Sequence, residues 1–490
     1  TLFMETKSKY KFVNYLWDEK KAKEFGDDQV ALFLYRSNIL GADLRITNFG
    51  GGNTSCKTIE KDPITNEAVE VMWIKGSGGD IGTLKRDGVA GLYNQRLHDL
   101  KKVYRGLEHE DEMVALFNHC IYDLDSKAPS IDTPLHGLLP FKHIDHLHPD
   151  SLIAIAAAED SEAITKEIWG DTMGWVPWQR PGFDLGLQLE ACLTNNPSIR
   201  GIVLGSHGVF TWGETSYESY VNSLEVIETA SAYIEKKISE NGSVFGGLKT
   251  NSLSEEDRKS QAAKLAPILR GMCSSENNMI GHFTDDDVVL EFINSNDLDR
   301  LAPMGTSCPD HFLRTKIKPL LLDLSADENL EDVESLISKL SPSFEAYRKD
   351  YQSYYDNHKH INSPAIRDAN PVIILFPGVG MFSFSKNKQT ARVAAEFYIN
   401  AINVMRGAEA ISNYTSLPYQ EAFDIEYWLL EEAKLQRQQK EKPLSRKVAL
   451  VTGSGGGIGR AIADKLIREG ANVIFSDISK EYLKEATSSY

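Results

Sequence analysis

The pair His146 and His148 constrains the fold most, because the chemistry of a His-x-His segment depends on its backbone conformation. In an extended strand, residues i and i+2 face the same side of the sheet, so both imidazoles point at one position. Two converging ring nitrogens suit a divalent ion such as zinc. A loop of solvated histidines is the alternative, since Asp145 and Asp150 lie in the same stretch.

A third histidine, His207, lies in the segment G-I-V-L-G-S-H-G-V-F-T-W-G. The apolar run Ile202 to Leu204 predicts a strand, and Gly205 and Gly208 allow a sharp turn that exposes the imidazole at the strand end. Three histidines that leave one position open are typical of a catalytic rather than a structural zinc site.

Asp132 precedes this histidine pair in the segment P-S-I-D-T-P-L-H and is the candidate general base. The alternative is a structural role as a helix N-cap, because Thr133 and Pro134 are typical of the first turn of a helix.

Two glycine-rich loops precede these residues, N-F-G-G-G-N-T-S at 48–55 and K-G-S-G-G-D at 75–80. Glycines allow backbone N–H groups to approach an anion closely. Neither loop is a P-loop, because no Gly-Lys-Ser/Thr follows at the required spacing. A simple hairpin turn remains the alternative for each.

The segments P-S-I-D-T-P-L-H, H-L-H-P and S-H-G-V-F-T-W-G resemble the class II aldolase/adducin family. The resemblance implies a zinc-like divalent ion bound by His146, His148 and His207, and Asp132 as the catalytic acid/base. It also implies a set of residues that holds the substrate phosphate: Gly52, Asn53, Ser77, Gly78 and Ser130. The family usually has glutamate at the position of Asp132, so the shorter carboxylate is a departure that puts its reach to the substrate in doubt.

The C-terminal segment K-V-A-L-V-T-G-S-G-G-G-I-G-R-A-I-A predicts a strand, a glycine turn and a helix, and A-N-V-I-F-S-D predicts a second strand. An acid about twenty residues beyond such a glycine turn is typical of dinucleotide binding. The segment resembles the short-chain dehydrogenase/reductase family. This resemblance implies NAD, with the pyrophosphate at the helix N-terminus, and the cofactor-binding residues Gly453, Gly457, Gly459 and Asp477.

The serine and the Tyr-x-x-x-Lys of that family do not occur in residues 447–490. We therefore expect this 490-residue chain to bind NAD weakly and to catalyse no hydride transfer.

These motifs predict an α/β protein. We expect a class II aldolase/adducin-like α/β/α catalytic domain at 4–245, an α/β extension at 250–434, a linker at 435–446 and a truncated Rossmann βαβ unit at 447–490. Residues 371–382 repeat the strand-turn pattern around His207, which indicates either a degenerate second copy or common α/β patterning. Residues 91–124 are patterned as helix, and His311 in C-P-D-H-F is assigned a structural role.

Composition and net charge limit the classes of function that this chain can have. The chain has 70 acidic and 53 basic residues and a net charge of −17, which argues against nonspecific nucleic-acid binding. No apolar run approaches the ~18 residues of a membrane span. The five cysteines are widely spaced without a CxxC, which favours a reducing cytoplasm.

The resemblance implies a metal-dependent aldolase that cleaves a ketose 1-phosphate, and we expect L-rhamnulose 1-phosphate, dihydroxyacetone phosphate and L-lactaldehyde as substrate and products. The order of the two parts resembles bifunctional aldolase/dehydrogenase proteins, and we expect a homo-oligomer. The alternatives are a pentulose-phosphate epimerase or a dehydratase of the same family, or a non-catalytic adducin-like interaction module. Four converging polar groups argue against the interaction module, which has no need of them.

Overall fold

A computed structural model describes residues 9–490, which form two compact units. Unit 1 contains the chain up to Val244 together with Thr306–Asp310 and Asn400–Leu417. Unit 2 contains Phe245–Gly305, His311–Ile399 and Pro418–Tyr490. Residues 4–8, at the start of the predicted first domain, lie outside the described residues, and the predicted domain bounds stay a prediction.

Within the described residues, unit 1 is built on a seven-stranded sheet in the order β3-β2-β1-β4-β7-β6-β5. Its strands are β1 (Asn53–Lys61), β2 (Ala68–Lys75), β3 (Val89–Tyr93), β4 (His143–Leu147), β5 (Gly174–Val176), β6 (Gly201–Leu204) and β7 (Gly208–Gly213). Strands β5 and β6 are parallel, and the other neighbouring pairs are antiparallel.

The helices of unit 1 pack on both faces of this sheet. They are α1 (Glu19–Glu24), α2 (Gln29–Gly41), α3 (Asn94–Asp99), α4 (Glu110–Leu116), α5 (Thr133–Gly137), α6 (Asp150–Ala156), α7 (Ser161–Trp169), α8 (Phe183–Asn195) and α9 (Ser216–Asn241). Apolar side chains of α9 pack with Leu147 and Val209 on one face, and those of α5 and α8 pack with Ile144 and Phe210 on the other. The predicted α/β/α architecture is confirmed.

The long helix α9 has clear local signals at both ends. Thr215 and Glu218 form a capping box, in which each side chain accepts from the backbone of the other residue. The helix ends at Gly242, whose φ of 71° is left-handed and therefore suits glycine.

Strand β4 is buried along its whole length, and its side chains alternate between two environments. Asp145 faces α2 and α9 and forms an ion pair with Arg36, with Nε to Oδ1 at 3.0 Å and both side chains fully buried. Asp145 also accepts from Ser219 and Ser223 at 2.8 and 2.9 Å. Asp145, which lies among the histidines in the sequence, is therefore on the opposite face of the strand from His146.

Unit 2 contains a smaller sheet of four strands in the order β8-β11-β10-β9. The strands are β8 (Ile280–Thr284), β9 (Leu320–Leu321), β10 (Ile373–Phe376) and β11 (Gly380–Ser385). The helices that follow α9 are α10 (Glu255–Met272), α11 (Asp287–Ile293), α12 (Leu298–Leu301), α13 (Pro309–Thr315), α14 (Val333–His358), α15 (Lys388–Ile411), α16 (Tyr419–Glu426) and α17 (Leu429–Gln436).

The repeated pattern at 371–382 has a structural counterpart. Strands β6 and β7 and strands β10 and β11 are both antiparallel pairs joined by a three-residue turn and followed by a long helix. In the first turn His207 N donates to Leu204 O at 3.1 Å, and in the second Val379 N donates to Phe376 O at 3.0 Å. The local geometry is the same, while Val379 carries no ligand chemistry.

The C-terminal residues form a two-stranded parallel sheet of β12 (Val448–Thr452) and β13 (Asn472–Ser476), connected by α18 (Gly457–Arg468) and followed by α19 (Lys480–Thr487). The predicted strand-helix-strand order is confirmed. Every described helix in the chain is either too short or too polar to span a lipid bilayer.

The helical pattern expected at 91–124 is wrong in part. Gly91 lies in strand β3 under the ring of Trp73, where a Cβ would lie 2.4 Å from the indole. Gly106 has a φ of 101°, which interrupts a helix, so two short helices form instead of a long one.

We predict that Asp145→Asn destabilises unit 1 by roughly 3–5 kcal/mol, because it leaves the Arg36 charge buried without its counter-charge. Urea unfolding followed by tryptophan fluorescence measures this, since six of the seven tryptophans lie in unit 1. The matched control is Glu190→Gln, which breaks a half-exposed pair with Lys101 and costs ~0–1 kcal/mol. Equal effects of the two changes would contradict the prediction.

Candidate functional site

The structure brings the three predicted histidines together. His146 lies in β4, His148 follows that strand directly, and His207 lies in the turn between β6 and β7. One nitrogen of each ring lies within 4.8 Å of the others, and all three residues are buried. His148 Nε2 is 3.0 Å from His146 Nε2, and the His207 ring centroid is 4.9 Å from the other two.

Hydrogen bonds on the far side of two rings orient the cluster. His146 Nδ1 donates to Val209 O at 3.1 Å, which leaves its Nε2 as a bare acceptor facing His148. His148 Nδ1 is hydrogen-bonded to Asp310 Oδ2, so its Nε2 also faces the cluster. The buried His207 Nδ1 has no hydrogen-bond partner within residues 9–490.

Burial keeps the rings of His146 and His207 neutral. It lowers the pKa of His207 to about 3 and that of His146 well below its ordinary value, and the neighbouring His148 adds to both shifts. Neutral imidazole is the form that binds a metal. Three buried rings whose nitrogens converge within 4.8 Å fit one divalent ion bound through nitrogen.

The carboxylate of Asp132 does not cap a helix, although the residue occupies the N-cap position of α5. It accepts instead from Asn53 Nδ2 at 2.7 Å. Asn53 in β1 is the direct antiparallel partner of His146 in β4. Side chains of such partners share one face of a sheet at Cβ separations of roughly 4.5–5.5 Å, so Asn53 connects Asp132 to the histidine cluster.

His136, which no sequence motif singled out as a site residue, fixes the orientation of the Asn53 amide. Burial lowers the pKa of His136 well below its ordinary value, so the ring is neutral. Ser55 Oγ lies 2.7 Å from His136 Nδ1 and donates to it, and His136 Nε2 donates to Asn53 Oδ1 at 2.5 Å. The amide NH₂ therefore points to Asp132. The only sequence signal was the position of His136 four residues after Asp132.

The two glycine-rich loops lie beside each other. Gly50 N donates to Asp80 Oδ1 at 3.1 Å, which joins the first loop to the end of the second. Ser77 N donates to Ala128 O at 2.9 Å, which places the second loop beside the segment that contains Ser130. Gly52 has a φ of 72° and lies so close to β4 that a Cβ would be 2.4 Å from His146 O.

Two side chains at these loops have buried polar atoms without a partner in the part of the chain that the structure describes. One is Ser130, through its Oγ, and the other is Asn48, through both amide atoms. Buried polar groups in proteins are normally hydrogen-bonded, so these atoms are candidate contacts for a polar group of a substrate. Ser130 was a predicted phosphate ligand, whereas Asn48 was passed over although it begins the first loop.

Asp310 was missed because it lies 162 residues from His148. Its neighbour His311, which the sequence indicated as structural, is fully buried. No local pattern distinguishes Asp310 from an ordinary surface acid.

The predicted dinucleotide residues also lie together. Gly453 and Gly457 have φ values of 64° and 54°, and a Cβ on Gly459 would lie 2.1 Å from Gly453 O. Asp477 Oδ2 accepts from Gly455 N at 2.9 Å, so the acid at the end of β13 contacts the glycine turn.

Comparison with known proteins identifies three matching regions in the chain. Residues 34–234 match the class II aldolase and adducin N-terminal domain, residues 260–435 match the second domain of class II aldolases, and residues 447–490 match short chain dehydrogenases. The chain belongs to the class II aldolase and adducin family, and a short-chain dehydrogenase segment follows the aldolase domains.

Among its relatives is the uncharacterized oxidoreductase YuxG of Bacillus subtilis, 38% identical over 470 residues, which cover 96% of this chain and 67% of the relative. The N-terminal class II aldolase domain of a conserved Thermoplasma acidophilum protein is 27% identical, with a TM-score of 0.39, and covers 46% of this chain and 98% of that one. L-fuculose-1-phosphate aldolase of Thermus thermophilus is 14% identical, with a TM-score of 0.30, and the match covers 44% of this chain and 97% of that one.

We predict that Co²⁺ affinity falls far less than a thousandfold between pH 7.5 and 5.5. Three histidines of ordinary pKa near 6.5 would each lose about tenfold on protonation over this range, about a thousandfold together. Burial lowers the pKa of His207 to about 3 and that of His146 well below its ordinary value, so these two rings do not add the loss expected of ordinary histidines. Absorbance titration at three pH values measures this; a thousandfold loss would contradict it, and His146→Ala is the non-binding control.

Proposed function

We propose that the site is a zinc-dependent aldolase centre that cleaves a ketose 1-phosphate into dihydroxyacetone phosphate and an aldehyde. The observation that carries this proposal is the position of Asp132. Its carboxylate is one hydrogen bond from Asn53, which is paired across the sheet with His146. A carboxylate held beside three converging histidines suits a reaction that needs both a proton carrier and stabilisation of negative charge.

Cleavage breaks the C3–C4 bond of the ketose. A proton leaves the hydroxyl on C4, which becomes the aldehyde carbonyl, and the electron pair of the broken bond forms an enediolate over C2 and C3. A proton is then returned to C3. His146, His148 and His207 would hold a divalent ion, which would supply a Lewis acid for the negative charge on the substrate oxygens. Asp132 carries the proton at C3, and Asn53 and His136 hold its carboxylate in place.

The glycine loops bind the phosphate in this proposal. Ser77, Gly78 and Gly52 present backbone and hydroxyl donors, and Ser130 adds a buried hydroxyl that has no partner within residues 9–490. Asn48 joins this set because its buried amide also has no partner in that range. Asn53 was predicted to bind phosphate as well; its contacts to His136 and Asp132 support a role in orienting the base.

L-rhamnulose 1-phosphate is the substrate we propose, with L-lactaldehyde as the second product. The experiment is a cleavage assay on a panel of ketose 1-phosphates and pentulose 5-phosphates, with dihydroxyacetone phosphate release as readout and zinc content measured on the same sample. Cleavage that is fastest with L-rhamnulose 1-phosphate supports the proposal. Epimer formation or water loss without cleavage would reassign the reaction, and a metal-free, inactive protein would indicate an interaction module.

NAD is the cofactor that we propose for the dehydrogenase segment. Its pyrophosphate would lie at the N-terminus of α18, beside Gly453, Gly457 and Gly459, and Asp477 would accept from the ribose hydroxyls. Lactaldehyde-dependent NADH formation, measured by absorbance, tests whether residues 447–490 support hydride transfer in this chain. We expect none.

We predict that Asp132→Asn retains the metal and loses turnover by ~10²–10⁴-fold, because an amide does not carry the proton. Turnover and zinc content are measured on the same preparation. Asp125→Asn, an exposed acid in the preceding loop, is the matched control and should be unaffected. Wild-type turnover in Asp132→Asn would show that the base lies elsewhere.

We predict that Ser77→Ala weakens transition-state binding of the phosphorylated substrate by roughly 1.5–3 kcal/mol, the contribution of a hydrogen bond to a charged group. The measurement compares kcat/KM for a ketose 1-phosphate and for the unphosphorylated ketose. The variant should lose activity only on the phosphorylated compound. An equal loss on both would show that this loop does not hold phosphate.

A further inference from the structure

We propose that Asp310 is a positioning residue for the metal centre, and that it acts by fixing the ring of His148. This inference rests on the proposed metal-dependent function and deepens it. Asp310 lies in the segment Thr306–Asp310, which belongs to unit 1 although the residues on both sides of it in sequence belong to unit 2. The segment also lies inside the match to the second class II aldolase domain at 260–435. The second domain of the family thus supplies a residue to the metal centre.

The two nitrogens of His148 have separate partners. Its Nδ1 is hydrogen-bonded to Asp310 Oδ2, and its Nε2 lies 3.0 Å from His146 Nε2. The side chain of His148 is 6% exposed and that of Asp310 is 27% exposed, so the contact is largely shielded from water. A carboxylate on Nδ1 fixes the proton there, leaves Nε2 as the ligand atom and makes that atom more basic.

The outer partners of the three rings differ, which gives Asp310 a distinct role. His146 Nδ1 contacts a backbone carbonyl, which no side-chain substitution removes. His207 Nδ1 has no hydrogen-bond partner among the described residues. The hydrogen bond between His148 and the Asp310 carboxylate is therefore the contact through which a side chain adjusts how strongly the cluster binds a metal.

The first glycine loop is shaped to admit this carboxylate. Gly51 has an ordinary backbone φ, so its conformation does not require glycine. A Cβ at Gly51 would, however, lie 2.5 Å from Asp310 Oδ2 and 1.7 Å from Asn48 Oδ1. The absence of a side chain at Gly51 is thus explained by the close approach of Asp310 and Asn48.

The same five-residue segment contacts a second histidine of the cluster. Cys308 is fully buried, and its Sγ donates to His207 O at 3.6 Å. Thr306–Asp310 therefore contacts the cluster at two points: the ring of His148 through Asp310 and the backbone of His207 through Cys308.

The alternative is that Asp310 binds the metal directly, since His148, Cys308 and Asp310 also have ligand atoms within 4.8 Å of one another. The orientation of the His148 ring favours the positioning role. Its Nε2 faces His146, and Asp310 lies on the opposite nitrogen, outside the three-histidine cluster.

The experiment measures Co²⁺ affinity and the visible ligand-field spectrum of the full chain for wild type, Asp310→Ala and Asp310→Asn. We expect Asp310→Ala to bind Co²⁺ about 10–100-fold more weakly with an unchanged spectrum, because the ligand set is intact. Asp310→Asn retains an oxygen that accepts from Nδ1 and should recover part of the affinity. Asp299→Ala, an exposed acid paired with Lys249, is the matched control.

Gly51→Ala provides a second variant that leaves the carboxylate in the chain but displaces it, and it should weaken Co²⁺ binding in the same direction. Circular dichroism identifies any variant that fails to fold. The Co²⁺ affinities of the variants that do fold then test the role of Asp310. Unchanged affinity in both Asp310 variants would overturn the inference, and a changed spectrum would show that Asp310 is a ligand. Because the readout is metal binding, a wild type that binds Co²⁺ but cleaves no ketose phosphate would refute only the aldolase function.

Discussion

The buried ion pair between Arg36 and Asp145 is the interaction on which the geometry of the site depends. Removing two charges from water is costly, and only complete pairing offsets the cost. Here the pairing is extensive, because Arg36 also donates to Ser55 O and Ser216 Oγ at 2.7 Å each. A shift of β4 by one residue would turn Asp145 toward the face that carries the histidine cluster and leave Arg36 unpaired. The pair thus selects the register that directs His146 and His148 to the site.

Three adjacent antiparallel strands bring the residues of the candidate site together. Asn53, His146 and Phe210 are direct partners across β1, β4 and β7, so they form one row on the sheet face opposite Asp145. Phe210 stacks on the His146 ring with centroids 4.3 Å apart and shields one side of that ring from water. Burial of this kind lowers the pKa of His146. Asp132, the predicted base, is held on the other side of the row, through Asn53 and His136.

Residues far apart in the chain complete this row. The glycine loops approach it from the start of β1, and Thr306–Asp310 contacts two of its histidines. Gly51 and Gly52 show why the first loop needs glycines: a side chain at either position would collide with Asp310 or with the His146 carbonyl. Their role in the structure is close packing around the histidine cluster, in addition to the proposed approach to a phosphate.

The sequence alone determined those features that depend on local spacing. The period of two in a strand predicted that His146 and His148 share a face, and the strand-glycine-helix order predicted the C-terminal βαβ unit. Only the tertiary structure decided which acids serve the site. Asp145 pairs with a residue 109 positions away, Asp310 contacts a histidine 162 positions away, and His136 orients Asn53 across 83 positions. Such contacts leave no periodic trace in sequence, because their partners are set by packing of whole elements rather than by neighbours along the chain.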